Sequence, residues 1–104
     1  MPFLEVEPFT TAQATYVESE HAYLVTVSGK APKITSGIAL VEMSAPPHLE
    51  VEVKGWTGPL ERGTETYTVH GVFRGPIAKT IKVHGSNRTE TIEVHILASE
   101  QVPA

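Results

Sequence analysis

The sequence predicts an all-β fold, a sandwich or a barrel of short strands, from two observations. Hydrophobic and polar residues alternate with a period of two in several runs, whereas no long run keeps apolar residues at helical spacing. Segments rich in glycine, proline and serine separate these runs. Strands this short, separated in this way, are typical of sandwiches and barrels rather than of parallel sheets.

The first two predicted strands cover residues 21–29 and 36–43. Alternation in the first directs three apolar side chains to one face: Tyr23, Val25 and Val27. The second strand is almost uniformly apolar. That composition is expected of a central strand covered on both faces.

The next two predicted strands cover residues 48–56 and 64–73. The inward face of the first is apolar and consists of Leu49, Val51 and Val53. Its outward face is charged and consists of Glu50, Glu52 and Lys54, which would discourage accidental strand pairing if this strand lay at a sheet edge. The second strand places three larger apolar residues on one face: Tyr67, Val69 and Phe73.

Residues 77–84 and 91–98 are predicted to form an antiparallel hairpin closed by the polar segment 85–90. The predicted register forms three cross-strand pairs: Val83 with Ile92, Ile81 with Val94, and Lys82 with Glu93. The charged pair would contribute about 0.2–1 kcal/mol. A slip of one residue would mix the apolar and polar faces, so we expect the register to be well specified.

Composition limits the classes of function. The 104 residues carry a net charge of −4 and only eight scattered Lys and Arg residues, so we expect no nucleic-acid partner. The chain has no cysteine, which excludes disulfides and thiolate metal sites. All twelve acidic residues are glutamates, which argues against an Asp-rich calcium loop. The length suits one domain spanning residues 1–104.

The start of the chain predicts neither a signal peptide nor a membrane span. The stretch "MPFLEVEPFT" has no basic segment and no long apolar run. The expected location is therefore cytoplasmic for the sequence as written. It would be extracytoplasmic if the sequence were a domain excised from a protein with a leader.

The second half of the chain carries a family resemblance. A proline turn and strand ("SAPPHLEVEV") precede "PLERGTETYTVHGVF", a strand ending in Ser-Asn ("GPIAKTIKVHGSN") and a closing strand ("TIEVHILA"). Over residues 44–98 this order resembles hydin-type and PapD-like immunoglobulin-like domains and a bacterial family of unassigned function. Arg62 stands where those domains usually have proline. The resemblance implies an immunoglobulin-like antiparallel β-sandwich of about seven strands, used for binding or spacing without catalysis.

The five histidines are candidate metal ligands, but their spacing favours solvent-facing strand positions. In the predicted register His84 and His95 share a face and lie roughly 13 Å apart, which is too far for one zinc ion with Zn–N distances near ~2.0 Å. Only His70 could approach one of them from another strand. Glu50 and Glu52 fit a solvated strand face better than a catalytic pair. We therefore predict no metal site, no cofactor and no catalytic residue.

Trp56 and Arg62 are the candidate binding residues. Both lie in the Gly/Pro-containing stretch 54–63, "KGWTGPLERG", and tryptophan and arginine are enriched in binding hot spots. The preferred interpretation is nevertheless that Trp56 caps the open end of the core, which predicts a largely buried indole. An exposed indole would favour a binding loop.

The leading functional hypothesis is a non-enzymatic module that binds an unidentified protein partner or spaces other domains. It rests on the strand pattern and on the lack of a catalytic motif, and sheet edges or end loops are the expected contact surfaces. The alternative is a small ligand-binding protein or enzyme with a loop-built site at one end. Its parts would be Trp56, Arg62, His48 and His21. A concavity with convergent polar groups would favour this alternative.

Overall fold

The computed structural model describes residues 3–32, 35–57 and 63–97. Eight strands account for most of them: β1 Phe3–Val6, β2 Thr11–Val17, β3 Ala22–Pro32, β4 Thr35–Ser44, β5 Glu50–Thr57, β6 Thr64–Arg74, β7 Thr80–His84 and β8 Thr89–Leu97. One short 3-10 helix covers Glu18–Glu20, and the described ranges contain no α-helix. The predicted all-β fold is therefore confirmed. None of the described segments forms a helix with the length and hydropathy needed to cross a membrane.

The strands form one mixed sheet. One edge of β5 pairs with β4, and its opposite edge pairs with β7 through its first part and with β1 through its last part. From β7 the sheet continues through β8, β2 and β3 to β6. Most neighbours are antiparallel, as predicted, but β5–β7 and β2–β8 are parallel. Strand β8 pairs with β7 through its first part and with β2 through its second part. It thereby joins two groups of strands, which we call the β5 half (β1, β4, β5, β7) and the β3 half (β2, β3, β6).

The hydrophobic core is shared by both halves, so the sheet curls around it. The large strand side chains that are at most 2% exposed come from three strands: Tyr23, Val25 and Val27 from β3, Val51 and Val53 from β5, and Ile81 and Val83 from β7. The inward side chains of β6 are partly buried and pack against this cluster: Tyr67, Val69 and Phe73. The inward faces predicted for these strands are therefore confirmed.

The neighbours of β4 and β5 differ from the prediction. β5 is paired along both edges, with β4 on one side and with β7 and β1 on the other. Among the described residues β4 pairs with β5 alone, and Val41 and Met43 are exposed. The prediction of a central strand at residues 36–43 is therefore wrong. A continuous apolar run reports the hydrophobicity of a strand's faces and carries no information about how many strands flank it.

β7 and β8 form the predicted hairpin, but its register differs by two residues from the predicted one. The structure forms these cross-strand pairs: Thr80 with Glu93, Ile81 with Ile92, and Lys82 with Thr91. The predicted opposition of Lys82 to Glu93 is therefore wrong, as are the two predicted apolar pairs. A shift of two residues keeps every side chain on its face, and the predicted burial is confirmed for Ile81, Val83, Ile92 and Val94.

The register is shifted because the turn is shorter than the predicted segment 85–90. The N–H of Gly85 donates to the carbonyl of Arg88 at 2.8 Å, and β8 begins at the next residue, Thr89. The turn is also held from outside, since the N–H of Ser86 donates to the carbonyl of Glu7 at 3.0 Å. Glu7 lies outside the hairpin, so the hairpin sequence alone could not predict this second contact.

Residues 7–10 carry the chain from β1 in the β5 half to β2 in the β3 half. The N–H of Glu7 donates to the carbonyl of Val53 at 2.8 Å, and the N–H of Thr10 donates to the carbonyl of Ser28 at 2.8 Å. The segment is thus hydrogen-bonded to a strand of each half. We call residues 7–10 the crossing segment.

Phe9 of the crossing segment closes one end of the core. The residue is 1% exposed, and a Cβ atom at Gly29 would approach its Cα to 2.8 Å, so this close approach requires glycine. The side chain of Asn87 bonds the Phe9 backbone twice, accepting from its N–H at 3.2 Å and donating to its carbonyl at 2.9 Å. The guanidinium of Arg88 lies 4.4 Å from the centre of the ring.

The predicted cap of the core, Trp56, is exposed to 46%. The prediction that its indole would be largely buried is therefore wrong, since Phe9 already fills the end of the core between the two halves. Arg62, the second candidate residue, lies outside the described residues.

Two tyrosines anchor the segment between β6 and β7 at the opposite end of the core. The hydroxyl of Tyr16 donates to the carbonyl of Gly75 at 2.9 Å, and that of Tyr23 donates to the carbonyl of Pro76 at 2.7 Å. Their rings meet edge to face at 4.8 Å. Both ends of the core are therefore closed by segments that pass from one half to the other.

Replacement of Phe9 by alanine should lower the free energy of unfolding by about 3–5 kcal/mol, because it empties a fully buried ring site. Trp56→Ala is the matched control and should cost about 1 kcal/mol or less, since nearly half of that residue already meets solvent. Urea unfolding of both variants measures the difference. Equal losses would contradict the assignment of Phe9 as the residue that closes the core.

The stability of the protein should fall as the pH rises above about 10. The hydroxyl of Tyr67 donates to the carbonyl of Pro8, and burial, with a smaller effect from the negative charge of Glu7, raises the pKa of Tyr67 to about 12. In the unfolded chain the phenol ionises near pH ~10. Between these values the unfolded state binds fewer protons, so rising pH favours unfolding.

Urea unfolding at several pH values from about 8 to about 11.5 tests this dependence. Tyr67→Phe is the control, because it removes the titrating group and should flatten the decline in the unfolding free energy. Burial also raises the pKa of Tyr23, so part of the decline should persist in the variant. An identical decline in both proteins would show that Tyr67 does not contribute.

Candidate functional site

The first candidate surface is the outer face of the β5 half around Trp56. Residues Leu49, Val51, Val53 and Gly55 point inward and are buried, so Trp56 points outward on the same face as Glu52 and Lys54. Leu4 of β1 lies directly opposite Trp56 in the strand register. Both side chains are exposed, Leu4 to 47% and Trp56 to 46%. The structure thus places two large apolar side chains next to each other in solvent.

A bulge in β4 supports the indole from its other side. The register between β4 and β5 shifts between Ser36 and Ala39, and Gly37 in this bulge has φ +59°, a conformation that favours glycine. The indole Cδ1 of Trp56 lies 3.1 Å from the position that a Cβ atom of residue 37 would occupy. A side chain there would strain the backbone and push the indole aside.

Charged groups continue this face along β5. The ammonium of Lys54 lies 3.1 Å from the carboxylate of Glu52, and both side chains are partly exposed. An ion pair at such a position contributes at most about 1 kcal/mol to stability. Its main effect is to place a polar border beside the apolar pair Leu4 and Trp56.

The histidines grouped with Trp56 in the alternative hypothesis lie elsewhere. His48 precedes β5, whereas Trp56 lies near its far end, about 26 Å away along an extended strand. His21 is at the start of β3, with φ 50°, and its carbonyl accepts from the N–H of Gly75 at 2.9 Å. Trp56 is therefore not brought together with His48, and Arg62 lies outside the described residues.

The second candidate site is a row of polar side chains across β5, β7 and β8. Nε2 of His84 lies 2.7 Å from Oε1 of Glu50, and its Nδ1 lies 3.0 Å from Oγ1 of Thr89. Because a carboxylate can only accept, Nε2 carries a proton, and in the neutral ring Nδ1 accepts from the threonine hydroxyl. His84 was predicted to be a solvent-facing histidine, but it is only partly exposed and its two ring nitrogens both have partners.

The order hydroxyl, imidazole, carboxylate is also the order of a Ser-His-Asp catalytic triad. Here Thr89 is exposed on a strand, where water weakens the electrostatic interactions on which such a triad depends. The row is better explained as a set of cross-strand hydrogen bonds that link three strands. The described residues include no group of three or more histidines and glutamates arranged to hold a metal ion.

A cavity of about 400 Å³ lies beside this row, between the turn that precedes β5 and the start of β7. Its polar lining combines a carboxylate, an ammonium group, an imidazole and two hydroxyls: Glu50, Lys82, His48, Thr80 and Thr91. Such a set can bind a small polar molecule through several directed hydrogen bonds. Of these residues, the loop-built site of the alternative hypothesis included only His48, since the parallel pairing of β5 with β7 that builds the cavity has no local signature.

Comparison of the chain with protein-family models, with curated proteins and with solved structures gives no match in any of the three.

Proposed function

We propose that the chain is a non-enzymatic, immunoglobulin-like module that binds a protein partner through the outer face around Trp56. The observation that carries this proposal is the exposure of Trp56 and Leu4 at paired positions on neighbouring strands. Tryptophan in an apolar setting with a polar border is typical of the centre of a protein interface. A spacer between domains would need no such side chains, so their exposure favours binding over spacing.

The backbone beneath Trp56 supports this proposal. β5 is hydrogen-bonded to β1 on one edge and to β4 on the other at this point of the sheet. A side chain on a backbone held from both sides loses little conformational freedom when it binds, which leaves more of the contact energy for affinity. Trp56 is also dispensable for closing the core, because Phe9 does that.

The immunoglobulin-like part of the proposal rests on the arrangement of the strands. Two halves of a mostly antiparallel sheet face each other across one core, and β8 is shared between them. The resemblance of residues 44–98 to immunoglobulin-like domains is the second support for this part of the proposal.

Replacing Trp56 by alanine should weaken binding of the partner by about 30-fold or more, the effect of removing a hot-spot residue worth about 2 kcal/mol. The partner is first identified by capture from native extract on the immobilised chain, and affinities are then measured by calorimetry. Leu24→Ala is the matched control, since Leu24 is equally exposed, at 45%, but lies in the β3 half. A partner bound equally well by wild type and Trp56→Ala would contradict the proposed surface.

A second candidate function is the binding of a small polar ligand in the cavity lined by Glu50 and Lys82. The convergence of charged groups and hydroxyls on one concave surface favours it. Lys82 is exposed and forms no ion pair with the described residues, so its ammonium group is available to a ligand.

A screen of small polar metabolites by thermal denaturation tests this second function. A ligand that binds the folded state should raise the melting temperature of the wild type, and Lys82→Ala should abolish the rise. Lys79→Ala is the control, because Lys79 is also exposed but does not line the cavity. A rise that persists in Lys82→Ala would place the ligand elsewhere.

A further inference from the structure

The polar groups that line the cavity beside β5 and β7 are separated by chemical kind. Those on β7 and β8 can all donate hydrogen bonds: the ammonium group of Lys82 and the hydroxyls of Thr80 and Thr91. Those on the β5 side, Glu50 and His48, supply acceptors, namely a carboxylate and, while the imidazole is neutral, one ring nitrogen. One side of the cavity therefore suits an anionic group and the other side a cationic group.

The strand register holds the donor side together. Lys82 lies opposite Thr91 of β8, and Thr80 lies two residues before Lys82, on the same face of β7. All three side chains are exposed. An ammonium group flanked by two hydroxyls suits a carboxylate, because hydrogen bonds to an ionised acceptor are stronger than neutral ones. Glu93 lies opposite Thr80 in the same register but does not line the cavity.

The two charges of the cavity are neighbours that do not pair with each other. Glu50 lies opposite Lys82 in the parallel ladder between β5 and β7, yet the structure, which describes both side chains, shows no ion pair between them. The carboxylate of Glu50 is bonded through Oε1 to Nε2 of His84 at 2.7 Å, and no group in the described ranges bonds to its Oε2. One carboxylate oxygen and the ammonium group are thus available to a ligand.

This pair of charges discriminates among ligands by their own charge. A simple anion would be attracted by Lys82 and repelled by Glu50, and a simple cation would meet the reverse. A neutral molecule would leave both protein charges without a charged partner. A molecule that carries both charges is attracted at both ends, so the cavity selects for it by attraction and against the others by repulsion.

We propose that the cavity binds a small zwitterion of the α-amino acid type. The ligand carboxylate would lie at Lys82 and the two threonines, and the ligand ammonium group at Glu50 and His48. The cavity volume of about 400 Å³ leaves room for a ligand of this size. The proposal rests on the second candidate function, ligand binding in this cavity, and specifies the chemical class of the ligand.

Titration of the isotope-labelled chain with each common L-amino acid, followed by NMR, tests the ligand class. A concentration of about 10 mM detects binding with a Kd near ~1 mM. The best ligand is then compared with two analogues that each lack one charge: its amide, which lacks the carboxylate, and the corresponding acid without the amino group. Each analogue should bind at least about tenfold more weakly, because it loses a charge-assisted hydrogen bond.

Substitutions in the cavity show which protein group contacts which ligand charge. In Lys82→Met the amide should bind as well as the amino acid, whereas the analogue without the amino group should still bind more weakly. Glu50→Gln should show the reverse. Lys79→Met and Glu93→Gln are the matched controls, because both residues are exposed but do not line the cavity, and both should bind like the unmodified chain. Circular dichroism checks that each variant is folded.

The absence of binding by every amino acid would overturn the proposal, as would equal affinity for the amino acid and both analogues. Amino-acid binding that is unchanged in Lys82→Met and Glu50→Gln would place the site outside the cavity and would also overturn it. The metabolite screen separates these failures from failure of the cavity function. A ligand of a single charge that requires Lys82 would leave the cavity a binding site and show that only the ligand class is wrong. If no ligand in that screen requires Lys82, the cavity function fails too.

Discussion

The fold depends on the crossing segment, residues 7–10, which ties the two halves of the sheet together. β8 joins the halves along one side, and the crossing segment joins them at the end of the core through Val53 of β5 and Ser28 of β3. Phe9 fills the space between the halves, and Asn87 and Arg88 hold its backbone from the turn of the last hairpin. Each such hydrogen bond contributes only about 0.5–1.5 kcal/mol. Together with the burial of a whole aromatic ring they fix the spacing of the halves.

Residues of the crossing segment and of the segment between β6 and β7 close the ends of the core. Side chains on the outer faces of the sheet are therefore not needed for closure and can contact other molecules. Phe9 closes one end, and the hydroxyls of Tyr16 and Tyr23 hold the segment at Gly75 and Pro76 across the other. Trp56 therefore has no structural task comparable to that of Phe9, although it is the larger residue. A large aromatic side chain that is nearly half exposed to solvent is the kind of residue that a binding surface requires.

Local alternation predicted the faces of the strands, and it could not predict their neighbours. The inward residues of β3, β5 and β6 follow from a period of two, because a strand directs successive side chains to opposite faces. Alternation within the predicted strand 48–56 already places Trp56 outward, and the expectation of a buried indole came from treating Trp56 as part of the Gly/Pro-containing stretch 54–63. The pairing of Glu50 with His84 joins residues 34 positions apart through a parallel ladder, and no local pattern encodes it. The hairpin register shows the same limit, because contacts with the crossing segment help to set the turn.

Native-state hydrogen exchange of the crossing segment tests this account most directly. The amide protons of Glu7, Phe9 and Thr10 are bonded to Val53, Asn87 and Ser28. If the segment holds the halves together, these protons can exchange only when the whole protein unfolds, so their exchange free energies should equal the global free energy of unfolding and fall with it as denaturant is added. Exchange at a much lower free energy that is insensitive to denaturant would show that the segment opens by itself, and would contradict the central role assigned to it.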